Sequence, residues 1–83
     1  MPKFKYIGTE EQLKECEFKI WRGIFMIRKI EDTMYVHIAQ NNGYIQRGDH
    51  NINNDYIGDA IGFPIQKQDI QDLIDKGLVI QDA

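Results

Sequence analysis

The chain contains no serine, a single cysteine (Cys16), two histidines (His37, His50) and two threonines (Thr9, Thr33). An activated hydroxyl or thiol needs a base within hydrogen-bond reach and usually a third group to orient that base. So sparse an inventory leaves few ways to assemble such a site, and the chain reads as non-enzymatic. One cysteine cannot build an internal disulfide framework. No stretch approaches the ~18 apolar residues of a membrane helix. The opening Met1-Pro2-Lys3-Phe4-Lys5 also lacks the apolar segment of a secretion signal. A cytoplasmic protein without a membrane partner is the expectation. Gly43, Gly58 and Gly62 fall into neither a GxGxxG nor a Walker A pattern, so no cofactor is expected.

What is present is enough for one small domain spanning the 83 residues. A core this size supplies a margin of only a few kcal/mol, and pairing with a second copy is a common remedy. Charge is uneven: residues 1–30 carry seven Lys/Arg and four Glu (+3), whereas residues 31–83 carry three Lys/Arg and nine Asp/Glu (−6), giving the net −3. An acidic chain is a poor general binder of nucleic acid, because non-specific affinity comes from neutralised phosphates. The basic first third still allows a local patch.

The alternation of Phe4-Lys5-Tyr6-Ile7 predicts a short strand. Thr9 with Gln12 forms a capping-box pattern, and Glu10 and Glu11 favour the positive end of a helix over 10–16. A β pattern follows over 18–47, punctuated by Arg22-Gly23, Glu31-Asp32 and Asn42-Gly43, the last being the strongest two-residue hairpin signal. Residues 48–64, rich in Asn, Asp and Gly, read as a long loop with room for one helical turn near 55–60. Ile70, Leu73 and Ile74 mark an amphipathic helix over 66–76 that stops at Gly77, and 78–81 can form a last edge strand. The predicted fold is α+β: an antiparallel β-meander of four to six strands, two short helices and a long Asx/Gly-rich loop. Residues 11–20 and 71–80 echo each other, aligning Leu13 with Leu73, Phe18 with Leu78 and Ile20 with Ile80. The echo reads as shared helix-to-strand punctuation.

The opening Tyr6-Ile7-Gly8-Thr9-Glu10-Glu11-Gln12-Leu13-Lys14, with a strand beginning at Phe18, resembles the start of small uncharacterised proteins carried by phages and prophages of low-GC Gram-positive bacteria. The resemblance covers the first twenty residues. Such proteins usually have glycine before that phenylalanine, where this chain has Glu17. It implies an accessory or host-interference role and passes on no functional residues.

If all three turns hold two residues, alternation sorts the meander into two faces. One collects Phe18, Ile20, Phe25, Ile27, Met34, Val36, Ile38 and Ile45, a core for Leu13, Cys16 and the second helix to cover. The other collects Lys19, Trp21, Ile24, Met26, Arg28, Tyr35, His37, Tyr44 and Gln46. Trp, Tyr, Met and Arg are enriched at buried interface centres. Lys19, Trp21, Met26, Arg28, Tyr35, His37 and Tyr44 are therefore the predicted anchors of a protein-binding face, toward a foreign protein or a second copy. The alternative is a binder of single-stranded nucleic acid or a small nucleotide, stacking bases on Trp21, Tyr35 and Tyr44 with Lys19, Arg28 and Arg47 at phosphates. Both readings fail if the 48–64 segment or a helix covers that face.

Other groupings have plainer meanings. Asp49, Asn51, Asn53 and Asp55 match the first positions of a calcium loop, but Asn54 and Ala60 stand where the pattern wants Gly and Glu, so a self-bonded Asx loop is expected and no metal. Cys16 is expected buried and inert. Asp69, Asp72 and Asp75 read as a solvated acidic stripe.

Overall fold

The computed structural model describes residues 3–51, 56–63 and 65–82. Seven strands and two short helices appear among them, in the order β1 (Lys3–Tyr6), α1 (Glu10–Glu15), β2 (Lys19–Trp21), β3 (Phe25–Glu31), β4 (Met34–Ala39), β5 (Ile45–Asn51), β6 (Tyr56–Phe63), a 3-10 turn (Lys67–Ile70) running into α2 (Gln71–Asp75), and β7 (Val79–Asp82). Strands β2 to β6 form one antiparallel meander in sequence order, and β1 pairs with β7 in a second, two-stranded sheet. The α+β class and the meander are those the sequence predicts. Much of the stretch read as a long loop is instead strand, with β5 and β6 paired. Where a helical turn was expected near 55–60, β6 runs from Tyr56. Asn53 and Asp55 lie outside the described residues.

The two sheets meet where β1 crosses the start of β5. Lys5 bridges to Tyr44, and the Tyr6 N–H donates to the Gly43 carbonyl at 2.8 Å. The helices pack on one side of the assembly. Phe4 and Tyr6 of β1, Leu13 and Cys16 of the first helical unit, Met26, Val36, Ile38 and Ile45 of the meander, and Ile70 and Leu73 of the second unit share one buried cluster.

Both helices end in the same way. At the first, Phe18 N–H reaches the Leu13 carbonyl and Glu17 N–H that of Lys14, with Glu17 at φ 70°. At the second, Leu78 N–H reaches Leu73 and Gly77 N–H reaches Ile74, with Gly77 at φ 72°. These are paired Schellman stops, so the sequence echo has a structural counterpart.

Strand register departs from the two-residue expectation at every turn. The first turn holds three residues: Arg22 and Gly23 both take positive φ (53° and 73°), and the ladder resumes with Trp21 opposite Phe25. The second carries a bulge between Lys29 and Glu31, so Val36 faces Arg28 and His37 faces Ile27. The third holds four residues, with Ile38 facing Ile45. Asn42 does not enter the left-handed region there. Its side-chain oxygen accepts from the Tyr44 N–H at 2.9 Å, and Gly43 N–H closes onto Ala39 at 2.7 Å. A one-residue slip reverses every side chain of a strand. The first two slips are of one residue and cancel across β4, and the third is of two and preserves the faces. Only β3 is inverted relative to the expected pattern.

Candidate functional site

That inversion divides the predicted site. Met26 and Arg28 point to the helix-covered face beside Ile38 and Val36, and Phe25 and Ile27 take their places on the other face with Trp21 and His37. Met26 is only 1% exposed. On the opposite face Trp21, Phe25 and His37 form a ring cluster, with centroids 5.6 to 6.2 Å apart and both Trp21 and Phe25 edge-on to His37. His37 is 1% exposed and Trp21 7%. Gly48 belongs to this packing: a Cβ there would stand 2.5 Å from His37 Nε2, so the ring lies flush against a bare stretch of β5. Trp21, Met26 and His37 are thus core residues and not a reachable surface. Lys19 is exposed on β2. Tyr35 is half-buried between Lys29 and Gly48. Tyr44 is half-buried at the junction of the sheets, with the Lys3 ammonium 5.6 Å from its ring. The seven predicted anchors do not make one surface.

The arginines have internal duties. Arg28 lies 4.5 Å over the Phe18 ring and donates to the Cys16 carbonyl, the Asp69 carbonyl and both oxygens of Asp72 at 2.7 to 3.0 Å. Its guanidinium, with this bidentate bond, holds the Asp72 carboxyl below the ordinary value of 3.8. Arg47 approaches Asp69 at 3.4 Å and Glu31 at 3.5 Å. Asp69 also accepts from the Gln66 N–H at 3.1 Å, and Asp75 accepts from Gln71. Asp69 and Asp72 are accordingly not a solvated stripe. They tie the second helical unit to β3 and β5, and they occupy two of the three cations a phosphate-binding face would have used.

The apolar surface that does reach solvent lies at the turn end of the sheet. Ile20 on the edge strand β2 is 50% exposed, and Ile24 in the turn after it 59%. The turns are joined by Gln40 N–H donating to the Ile24 carbonyl at 3.1 Å, and Gln40 Nε2 donates to Glu10. Two shallow grooves flank Gln40 and Asn41. One, about 360 Å³, runs toward Tyr6 and Glu10 over a floor of Leu13, Met26 and Ile38. The other, about 390 Å³, is lined by Gly23, Ile24 and Phe25. Tyr6 closes the first groove from below: its hydroxyl donates to the Thr9 carbonyl at 2.6 Å, and burial, with Cys16 and Glu15 nearby, raises its pKa above 10.0. Sequence reasoning assigned Ile20 to the core. The signal against this was positional: a three-residue strand at the end of the sheet order has no neighbour to cover it.

Cys16 is buried, as expected, with Lys76 Nζ 3.4 Å from its sulfur. Asp49 and Asn51 belong to β5, and no group of three or more metal-ligating side chains occurs among the described residues. No helix among them is long and apolar enough to cross a membrane. Compared with known proteins, the chain matches no family model, no curated protein sequence and no solved structure.

Proposed function

We propose that this chain is a non-enzymatic protein-binding module that meets its partner with the turn end of the sheet: edge strand β2, the 22–24 turn and the 40–43 turn. The observation that carries the reading is the pair of half-exposed isoleucines, Ile20 and Ile24, beside the groove over Phe25. Fully burying such a side chain is worth about 1.5–3 kcal/mol, so a partner that covers both recovers what the free domain leaves exposed. The partner is a different protein. The resemblance of residues 6–14 to phage and prophage proteins fits an accessory or host-interference role. The nucleic-acid reading has lost support, because Arg28 and Arg47 are engaged by Asp72, Asp69 and Glu31.

The test compares wild type with an Ile20→Lys, Ile24→Glu double variant as baits in bacterial lysate. Both sites are at the surface, so the variant should melt like wild type. A partner retained by wild type, lost by the variant and still held at about 0.5 M salt supports the reading. Retained material that is nucleic acid and elutes steeply with salt overturns it. So does equal retention by the two baits.

A further inference from the structure

Strand β2 ends the meander, and its outer edge has no neighbour among the described residues. We infer that this edge receives an extended segment of a different protein as an added strand, a segment whose side chains alternate acidic and apolar. The inference rests on the proposed binding role and supplies the partner's chemistry.

It follows from which way β2 points its three side chains. Lys19 and Trp21 fall on the face shared with Ile27 and Phe25, and Ile20 falls on the other, beside Met26. Lys19 is exposed, and the Arg22 guanidinium lies 5.0 Å over the Trp21 ring, so positive charge collects on that face. The other face presents the half-exposed Ile20. A strand laid alongside repeats this alternation, since directly opposed residues share a face. Acids then stand opposite Lys19 and Trp21, and an apolar residue opposite Ile20. Main-chain hydrogen bonds supply affinity in such strand addition, and the alternating side chains supply specificity. A second copy is the wrong occupant. A two-fold pairing of so short an edge would bring Lys19 and Arg22 against their own counterparts, and opposed like charges destabilise a strand pair. Lysine on an edge strand discourages such self-pairing and attracts an acidic strand.

The probes are three capped synthetic peptides of about nine residues: one alternating glutamate and valine, one alternating lysine and valine, and the glutamate peptide N-methylated at every second residue along one edge. Each is titrated into the isotope-labelled full chain and followed by amide chemical shifts and hydrogen exchange. The glutamate peptide should shift the signals of residues 19–24, slow amide exchange in β2, and bind about tenfold or more tightly than the lysine peptide. N-methylation should remove about tenfold or more of that affinity. Lys19→Glu should reverse the preference between the charged peptides. If the methylated and unmethylated peptides bind alike at residues 19–24, strand addition is refuted while the binding surface stands. Equal affinity for the two charged peptides refutes the acidic partner. Concentration-dependent self-association through β2 makes a second copy the occupant and overturns the proposal. If no peptide binds at millimolar concentration, the proposal also fails, while loss of lysate capture by the isoleucine variant would keep the broader role intact.

Discussion

The two helical units do the same job by different means. Each runs from helix through a left-handed stop into a strand, and each drives one leucine, Leu13 or Leu73, into the common core. The first unit is fixed largely by its neighbours in sequence: the Thr9 side chain accepts from Gln12 N–H, and the Gln12 side chain accepts from Thr9 N–H at 2.8 Å. The second starts as a 3-10 turn and is held from across the molecule by Arg28 and Arg47. A local cap and a long-range ion-pair lock can thus support equivalent pieces of architecture. They respond differently to mutation, salt and acid.

The largest effects test the equivalence itself. Leu13→Ala and Leu73→Ala should each destabilise the domain by about 3 kcal/mol, the usual cost of truncating a fully packed leucine. Urea unfolding of the two variants checks this. If one costs less than about 1 kcal/mol, that unit is not a full member of the core and the parallel breaks.

The next effect separates the two kinds of support. Asp72→Ala should cost about 1–2 kcal/mol near neutral pH, a charged hydrogen bond discounted for the carboxylate's partial exposure. Thr9→Ala should cost about 1 kcal/mol as a lost cap. Their pH responses should differ. The folded pKa of Asp72 lies below its unfolded value of about 3.8. Its stabilisation is therefore complete above that value and disappears as pH falls through the folded one. The difference between wild type and Asp72→Ala should shrink in acid, and that between wild type and Thr9→Ala should not. Denaturant titrations at about pH 7 and about pH 2.5 measure both. A Thr9→Ala penalty that vanishes in acid, or an Asp72→Ala penalty that does not, would show that the supports are assigned the wrong way round.

What could be read in the sequence follows the same division. The start of α1 was legible because its determinants lie within four residues of each other. The partners of Asp72 were not, since Arg28 is 44 positions away and nothing local distinguishes a paired aspartate from a solvated one. Turn chemistry was legible in place but not in length. Arg22-Gly23 was found, but no local rule recruits Ile24 to the turn, and the bulge in β3 leaves no compositional mark. The fold class survived these errors because the two single-residue slips cancel by β4. The site did not survive them, because its membership depended on β3, the strand between them. Met26 and Arg28 therefore went to the wrong face, while Trp21, Tyr35 and His37 kept their common one.

The finest comparison concerns the two stops. Glu17 and Gly77 hold nearly the same backbone angle, φ 70° and 72°, but only glycine takes that conformation without crowding between its Cβ and the carbonyl oxygen. For other residues the left-handed region costs about 1–2 kcal/mol. A Cβ on Gly77 would meet no atom within 4 Å, so the penalty for Gly77→Ala is purely conformational and should be about 1 kcal/mol. Glu17→Gly should act in the opposite sense. Relief of the left-handed penalty, less the extra freedom glycine gives the unfolded chain, should leave the domain about 0.5–1 kcal/mol more stable. Glu17 is exposed and its carboxylate stands near the negative end of α1, so its removal also relieves an unfavourable interaction with the helix dipole. Thermal melts of the two single variants and the double variant decide the matter. If the stops are equivalent, the single effects should have opposite signs and add in the double variant. A destabilised Glu17→Gly would mean that the glutamate side chain contributes more than its backbone conformation costs, and that the two helix ends resemble each other only in shape.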